Sequence, residues 1–367
     1  ASLIDWPYQF FRYLLIEGFQ SGLGDQAVQY APSLSWIAVI TVVVAISYYA
    51  SDWRLGALTG ACFAYLAVFG QWQSAMVTLA SVLIAVPIGA LGGLFLGIIA
   101  YKSRIVENCL RPILDLMQTV PVFAYLVPVL ILFGFGPVAA LVATVIYAMP
   151  PMVRVTIVAL KTVPEEIKEA GKMVGCTDRQ MMWKVLVPSA SSSLMLGVNQ
   201  VIMLTLNMVI IASMIGAGGL GFDVLASLRR LDIGGGIEAG LAIVVMAIAL
   251  DRISQAFSVR TMREPYNGNY IQRHPWITTS FVVIVGTLIL GIFIPSIQAY
   301  PKEFTITTGP FWSDAMKYIN VNFFDAFEAI KVFFLQSLLL PVKKFFVGNP
   351  WAGGVIAIGL LARKLAG

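Results

Sequence analysis

One long polar passage interrupts a chain that is otherwise apolar, and it limits the folds that the whole sequence can adopt. Residues 165–188, EEIKEAGKMVGCTDRQMMWKVLVP, carry eight charged side chains between apolar segments on both sides. A charged side chain at the centre of a bilayer costs about 2.5 to 3.5 kcal/mol on insertion scales. We therefore expect this passage to lie in water, between two membrane spans.

The order of residues in the passage predicts two short helices at an angle. Pro164 opens the first helix, and Gly175 ends it in a left-handed turn. Thr177 or Asp178 then caps a second helix, which runs through Trp183 and stops at Pro188. Glu165 and Glu166 fall in the first turn, beside the positive end of the helix dipole. The passage is thus more ordered than a random loop.

The composition indicates an integral membrane protein. Of the 367 residues, 59% are hydrophobic and 12% are charged, whereas soluble domains carry about 25% charged residues. The net charge of +5 is spread over the loops, which argues against nucleic-acid binding. The cysteines at 62, 109 and 176 are too widely separated for a disulfide framework or a metal site.

Apolar runs predict an all-α protein with about eight to nine transmembrane helices. Aromatic side chains within residues 1–33 predict a short interfacial helix before the first span. The predicted spans cover residues 34–50, 55–70, 74–100, 113–133, 138–158, 194–215, 237–250 and 276–294, and a last one begins at about Trp351. Pro121 and Pro128 interrupt the fourth span, and a polar linker follows residue 250.

The distribution of lysine and arginine predicts the orientation. With residues 165–188 in the cytoplasm, a count of spans puts these basic residues inside: Lys102, Arg104, Arg111, Arg154, Lys161, Arg252, Arg260, Arg263 and Arg273. This agrees with the positive-inside rule. The exceptions are Arg229 and Arg230, which fall outside next to a glycine-rich passage. The same count of spans puts the amino terminus outside.

The charged passage resembles the EAA loop of ATP-binding-cassette (ABC) importer permeases. The family pattern is Glu-Ala-Ala, three residues, Gly, nine residues, Ile-x-Leu-Pro, and the matching residues here are Glu169, Ala170, Gly171, Gly175, Val185, Val187 and Pro188. Gly171 replaces the second alanine, Val185 the isoleucine and Val187 the leucine. In the family this loop docks into a separate ATPase subunit. The resemblance therefore implies coupling through Glu165, Glu166, Glu169, Ala170, Gly171, Gly175, Asp178, Arg179 and Pro188; the alternative is an ordinary cytoplasmic loop.

A narrower resemblance covers residues 72–256. Residues 197–225, GVNQVIMLTLNMVIIASMIGAGGLGFDVL, and the later RRLD and ALDRISQ look like permeases that import glycine betaine, proline betaine and choline. The resemblance implies a type I ABC importer permease fold with cytoplasmic coupling helices, in the plasma membrane. It also implies an ABC ATPase subunit that holds ATP and Mg, a periplasmic or extracellular solute-binding protein, and a second permease copy or fused unit. The cargo would be a methylated amine, with trimethylamine N-oxide among the candidates.

The resemblance suggests four regions. Residues 1–70 form the interfacial helix and two extra spans, 71–256 the permease core with the coupling loop at 164–188, 257–300 a cytoplasmic linker and a further span, and 301–367 an external amphipathic segment. Residues 311–346 are rich in aromatic side chains, and Pro350 and an apolar run from Trp351 follow them. The start of the chain has the same order, with Pro32 before its first apolar run. We expect a second permease unit to begin near residue 311; the alternative is a single terminal span.

Polar residues in the core suggest a substrate path. Helical spacing puts Asn199, Met203 and Asn207 on one stripe, with Gln200 on the same helix. Buried amides are costly unless they pair or face water, so these residues either line a path for a polar zwitterion or bond neighbouring helices. Further candidates for the path are Gln118 and Thr119, with Tyr125 and Tyr147 as cation–π partners of a methylated ammonium, although either tyrosine alone is more often a packing residue.

Other candidate roles follow from charge and from missing motifs. Arg229, Arg230 and Asp232 are candidate contacts of the binding protein; the alternative is a solvated loop with an Arg–Asp pair. The sequence contains no G-x-x-x-x-G-K-[ST] motif and no Ser-His-Asp set, so we expect no enzyme, no metal and no cofactor on this chain. The other hypotheses are an ABC permease for amino acids, an ATP-independent carrier or channel, and a structural membrane protein.

Overall fold

The chain forms two compact units, residues 1–309 and residues 310–367. A computed structural model describes residues 2–21, 28–260, 275–348 and 351–365. Regular structure in these ranges is helical apart from one small hairpin, which confirms the predicted fold class.

The larger unit is a helical bundle that begins with a short helix and a hairpin. In chain order its elements are α1 (Ser2–Arg12), β1 (Phe19–Ser21), β2 (Val28–Ala31), α2 (Trp36–Ala50), α3 (Trp53–Val68), α4 (Trp72–Lys102), α5 (Arg104–Thr119), α6 (Val122–Phe133), α7 (Pro137–Lys161), α8 (Glu165–Met173), α9 (Asp178–Gln180), α10 (Val187–Ser189), α11 (Ser191–Ser213), α12 (Leu220–Arg230), α13 (Ile233–Arg260), α14 (Pro275–Phe293) and α15 (Pro295–Gln298). The two strands pair antiparallel, with Phe19 opposite Ala31. The hairpin was not predicted, because its sequence has no uninterrupted strand-like alternation.

The smaller unit is a series of helices over the aromatic stretch near the end of the chain. Its elements are α16 (Gly309–Asn322), α17 (Phe324–Phe333), a π-helical turn (Phe334–Leu339), α18 (Leu340–Gly348) and α19 (Trp351–Leu365). Within this unit most of the described large apolar side chains from Phe323 onward are exposed. Residues 311–346 are therefore largely helical, with many apolar side chains on the surface of the unit.

Four helices of the described chain are long and apolar enough to cross a bilayer alone: α4, α7, α11 and α13. Two bent helix pairs raise the number of spans to six if each pair crosses once. The predicted spans near the amino terminus form the shorter helices α2 and α3, of 15 and 16 residues. At 1.5 Å per residue each is about 23 Å long, which is less than the roughly 30 Å of the hydrocarbon core.

The predicted fourth span, 113–133, is interrupted at Pro121, as predicted, but not at Pro128, which lies inside α6. Helices α5 and α6 meet at an angle of 101°. Pro121 lacks an N–H and disfavours helical geometry in the residue before it, and Val120 is accordingly extended at φ −69° and ψ 130°. The Tyr125 hydroxyl, 3.0 Å from the Val120 carbonyl oxygen, also contacts the Met117 carbonyl and closes the bend.

The predicted seventh span was too short. Helix α13 runs from Ile233 to Arg260, so the first ten residues of the predicted polar linker continue the helix. Gln255 donates a hydrogen bond to Asp251 one turn earlier at 2.8 Å, and such i, i+4 pairs stabilise exposed helices. The rest of that linker, residues 261–274, lies outside the described residues.

Glycines let the central helices approach closely. A Cβ atom on Gly97 of α4 would lie 2.5 Å from the Thr156 Cβ of α7, and one on Gly93 would lie 2.6 Å from the Met152 Cβ. A Cβ on Gly197 of α11 would lie 2.6 Å from the Met152 sulfur. Small residues at helix crossings are typical of membrane bundles, where van der Waals contact drives association. Helix α7 is therefore held between α4 and α11.

Contacts between distant segments join residues that the span count puts on one side. Three such pairs belong to the side predicted to lie outside: Thr78 with Leu220, Gly136 with Ile215, and Val68 with Ile306. Pairs expected on the cytoplasmic side also meet: Glu107 with Lys161, and Asp115 with Arg154. Each pair joins residues that the span count assigns to the same side.

Polar contacts join the start of α2 to α15, the short helix that follows α14. The Ser35 hydroxyl donates to the Ile297 carbonyl, and the Gln298 amide donates to the Ser33 carbonyl. The Trp36 indole N–H donates to the Ser296 carbonyl at 3.1 Å. The start of α2 is therefore tied to the segment after α14, at ends that the span count predicts to lie on the same side.

Replacing Thr78 with valine should lower the stability of the outer end of the bundle. The buried Thr78 hydroxyl of α4 accepts the Leu220 N–H at 3.0 Å, and this N–H lies in the first turn of α12. Valine keeps the shape and leaves the N–H without an acceptor, so we expect a loss of about 1 kcal/mol. The unfolding midpoint of the purified protein measures it. Ser81→Ala, whose hydroxyl bonds only within α4, is the control, and an equal loss in both variants would contradict the capping role.

Candidate functional site

The charged passage folds into two short helices joined by a left-handed glycine. Pro164 occupies the cap position before α8, and Gly175 has φ +79°, which favours glycine. Thr177 caps the second helix: its hydroxyl accepts the Gln180 N–H at 3.4 Å, and the Gln180 side chain accepts the Thr177 N–H at 3.0 Å. Of the two predicted caps, Thr177 is the one used.

The second helix does not stop at Pro188, contrary to the prediction. A π-helical turn, Met181–Leu186, follows α9, and α10 continues through Pro188 to Ser189. A π-helical turn inserts an extra residue into the hydrogen-bond ladder, which accommodates the missing N–H of the proline. The helix thus leads almost directly into the span α11.

Gly171 fits the close packing of α8 against the π-helical turn. A Cβ on Gly171 would lie 2.7 Å from the Met181 Cε and 3.5 Å from the Val185 Cγ2. Gly171 is one of the positions that depart from the EAA pattern, and the flexible end of Met181 occupies the space that an alanine would use. The departure therefore matches a local packing difference.

The outward face of this passage combines charge with an exposed apolar tip. Met173 and Val174 are 82% and 83% exposed at the end of α8. Around them the exposed residues of the passage include Glu165, Glu166, Glu169, Ala170, Gly175, Asp178, Arg179 and Pro188, while Gly171 is buried. Lys168 donates to Glu165 at 2.8 Å, and this hydrogen bond lowers the pKa of the Glu165 carboxyl. An exposed apolar tip with a charged surround is typical of a protein interface.

A buried carboxylate fixes the base of this passage, and the sequence analysis did not find it. Lys161, in the last turn of α7, donates to both carboxylate oxygens of Glu107 at 2.7 and 2.8 Å. Arg111, one turn after Glu107 on α5, donates to the same carboxylate at 2.6 Å. The i, i+4 spacing of Glu107 and Arg111 was the available signal. The cluster ties the end of α7 to α5.

A cavity of about 570 Å³ lies between α5, α7 and α11. Its lining residues are Met117, Gln118, Tyr147, Pro151, Arg154, Val155, Asn199, Gln200, Met203 and Leu204. Five of them were predicted for the substrate path: Gln118, Tyr147, Asn199, Gln200 and Met203. The structure therefore brings together residues from three separate helices, with amide groups and one aromatic ring on the wall.

Three predicted path residues do not line this cavity. The Thr119 hydroxyl bonds back to the Leu116 carbonyl at 3.1 Å, and Tyr125 closes the bend between α5 and α6. Asn207 is exposed on α11, two turns beyond Asn199. For Tyr125 the structure thus shows a role in backbone geometry at the bend.

Arg154 is a cavity residue that the sequence analysis used only to predict orientation. Its guanidinium donates to the Asp115 carboxylate of α5 at 2.5 Å. Arg154 follows Tyr147 by seven residues on α7, so both lie on one helix face. The seven-residue spacing was therefore the sequence signal that put Arg154 on the same face of α7 as Tyr147.

The outer candidate residues lie at the end of α12. Arg229 and Arg230 are exposed in its last turn, and Leu231 follows in a left-handed conformation at φ +58°. Asp232 accepts the Gly235 N–H at 3.0 Å and so caps α13. The ion pairs found in the described residues do not include an Arg–Asp pair here.

A family model matches the centre of the chain. Residues 89–263 match the model described as "Binding-protein-dependent transport system inner membrane component". The matched range contains α5 to α13, with both the charged passage and the cavity. Together with the apolar helices, the match makes the chain a multi-pass protein of the inner membrane.

Individual relatives agree with this match. The trimethylamine N-oxide transport system permease protein TmoV of Pelagibacter ubique is 36% identical over 89% of this chain and 47% of its own length. The glycine betaine/proline betaine transport system permease protein ProW of Escherichia coli is 41% identical over 69% of this chain and 72% of its own length. The chain spans about half the length of the trimethylamine N-oxide permeases that it matches. These relatives are described as transport permeases and not as enzymes.

A solved structure of the MetNI methionine ABC transporter, in an inward-facing conformation, is also similar. It matches with a TM-score of 0.46 and 21% sequence identity, over 51% of this chain and 94% of that chain.

Proposed function

Because this chain belongs to the family of binding-protein-dependent transport system inner membrane components, we propose that it is the transmembrane permease subunit of an ATP-driven importer of methylated-amine solutes. The observation that carries the proposal is the charged passage, which presents an exposed apolar tip between two short helices. The proposed solutes are glycine betaine, proline betaine, choline and trimethylamine N-oxide.

An ABC ATPase subunit is the proposed partner at the charged passage. ATP and Mg would be held by that subunit, and its movement would be transmitted through α8, α9 and α10. The support is geometric: the Glu107 cluster ties the base of the passage to α5 and α7. Displacement of the passage would therefore act directly on two helices that line the cavity.

The partners on the outer side are a solute-binding protein and a second permease unit. The exposed arginines at the end of α12 are the proposed contact of the binding protein. The cavity lies among three helices of the larger unit, so we propose that a second unit, as another copy or fused to this one, completes the path. The family description names a binding-protein-dependent system.

The proposed substrate class rests on the cavity wall and on the relatives' descriptions. Tyr147 borders the same cavity as the amide residues Gln118, Asn199 and Gln200. Aromatic faces attract quaternary ammonium groups, while amides bond to polar oxygens without adding charge. The volume of about 570 Å³ is ample for a small solute.

Uptake into proteoliposomes tests this function. The complete transporter, with the natural chain, its ATPase and its binding protein, is assayed with radiolabelled glycine betaine with and without ATP. We expect uptake only with ATP, and a loss of most uptake in Glu169→Ala, because Glu169 is exposed on the proposed docking face. If uptake needs no ATP and is unchanged in Glu169→Ala, the chain is a carrier or a channel.

A further inference from the structure

Arg154 is a charged residue in the cavity wall, and so far it has no role in substrate binding. Arg154 is the one charged residue among those described around the cavity. The remaining lining side chains are amides, apolar groups and the Tyr147 phenol. A methylated amine inside the cavity therefore meets an aromatic face and a cation on the same helix α7.

The ion pair with Asp115 uses only part of the hydrogen-bonding capacity of the Arg154 guanidinium. Arginine has five N–H donors, and the described hydrogen bond to Asp115 uses one of them. The Arg154 side chain is 41% exposed and the Asp115 side chain is 65% exposed. Such an exposed pair is weak, typically below about 1 kcal/mol, so an incoming anionic oxygen can share or replace the Asp115 carboxylate.

We propose that Arg154 makes this cavity selective for methylated amines that also carry an anionic oxygen. Glycine betaine, proline betaine and trimethylamine N-oxide have such an oxygen, and choline does not. The inference rests on the proposed function and narrows its substrate class. It assigns Arg154 as a specificity-determining residue and Tyr147 as its aromatic counterpart.

Charge complementarity is the physical basis of this selectivity. Guanidinium groups bind carboxylates through paired, charge-assisted hydrogen bonds, which are about twice as strong as neutral ones. A trimethylammonium group is attracted to the Tyr147 face. A zwitterion satisfies both groups at once, whereas choline offers only a neutral hydroxyl and brings a second cation near the guanidinium.

Asp115 competes with the substrate for Arg154. Its carboxylate lies 2.5 Å from the guanidinium and also attracts cations to the edge of the cavity. Removing this charge should therefore act in opposite directions on the two classes of solute. Zwitterions should bind more tightly in Asp115→Asn, and choline should bind more weakly.

Equilibrium binding to the assembled permease–ATPase complex tests the inference. The complex is reconstituted in nanodiscs without the binding protein, and radiolabelled glycine betaine and choline are the two probes. We expect Arg154→Gln to weaken glycine betaine binding about tenfold or more, with choline binding unchanged or tighter. Arg154→Lys keeps the charge and should restore part of the binding. Arg104→Gln, an exposed arginine on α5 outside the cavity wall, should change neither probe.

The outcomes separate this inference from the proposed function. Equal loss of both probes in Arg154→Gln with no rescue by lysine would make Arg154 a structural residue and overturn the inference. Absence of glycine betaine binding to the unaltered complex would overturn it as well. Uptake without ATP would refute the proposed importer function, yet a binding difference that depends on Arg154 would still stand.

Discussion

ATP-driven uptake should fall to background when Val174 is replaced by aspartate. Val174 is 83% exposed at the end of α8, so the substitution leaves the fold unchanged. In the proposed docking site the new carboxylate would be buried at an interface, where an unpaired charge costs several kcal/mol. Each 1.4 kcal/mol lowers affinity about tenfold, which is enough to separate the subunits. Pull-down of the ATPase, together with uptake of glycine betaine, measures the effect.

The matched control at this position is Val174→Thr. Threonine keeps the branched shape and replaces one methyl group with a neutral hydroxyl, so we expect at least partial retention of uptake and of ATPase binding. Both variants should elute as the same species from a sizing column. Normal ATPase binding by Val174→Asp would show that the apolar tip is not the docking surface.

Replacing Gly97 with alanine should produce the largest loss of stability in the central bundle. The new Cβ would lie 2.5 Å from the Thr156 Cβ and 3.0 Å from the Val153 carbonyl oxygen. Neither atom is the end of a flexible side chain, so α4 and α7 must separate. Overpacking of this kind costs about 1 to 3 kcal/mol. The unfolding midpoint in detergent, followed by intrinsic fluorescence, measures the change.

The same substitution at Gly240 is the control for Gly97→Ala. Gly240 lies in the span α13, and a Cβ there would meet no atom within 4 Å. Alanine favours helices over glycine by about 0.5 to 1 kcal/mol, so Gly240→Ala should leave stability equal or slightly higher. A similar loss in both variants would mean that the effect does not arise from overpacking at the α4–α7 crossing.

Long apolar runs predicted the central helices well, whereas of the two prolines predicted to interrupt the fourth span only Pro121 marks a break. The runs at 74–100 and 138–158 correspond to α4 and α7. Pro87 and Pro128 lie inside helices, while Pro121 ends one. The difference depends on the tertiary contacts of Tyr125 with the preceding turn, and those contacts are not visible in a local pattern.

The lining of the cavity overlaps the predicted path only in part, because periodicity describes one helix at a time. Asn199 and Met203 of the stripe on α11 both line the cavity, but the cavity ends before Asn207. Eight residues of helix rise about 12 Å, which takes Asn207 beyond the cavity. Arg154 was missed because its place beside Asn199 depends on the packing of α7 against α11.

The contacts between the start of α2 and α15 limit the order in which the larger unit can assemble. The hydrogen bond from Ser35 to Ile297 spans 262 positions of sequence. During synthesis the start of α2 therefore remains without these partners until α15 has left the ribosome. The central helices α4, α7 and α11 are closer in sequence and can associate earlier, because short loops close with less loss of entropy. The contact between α2 and α15 thus forms only after the central helices have had time to associate.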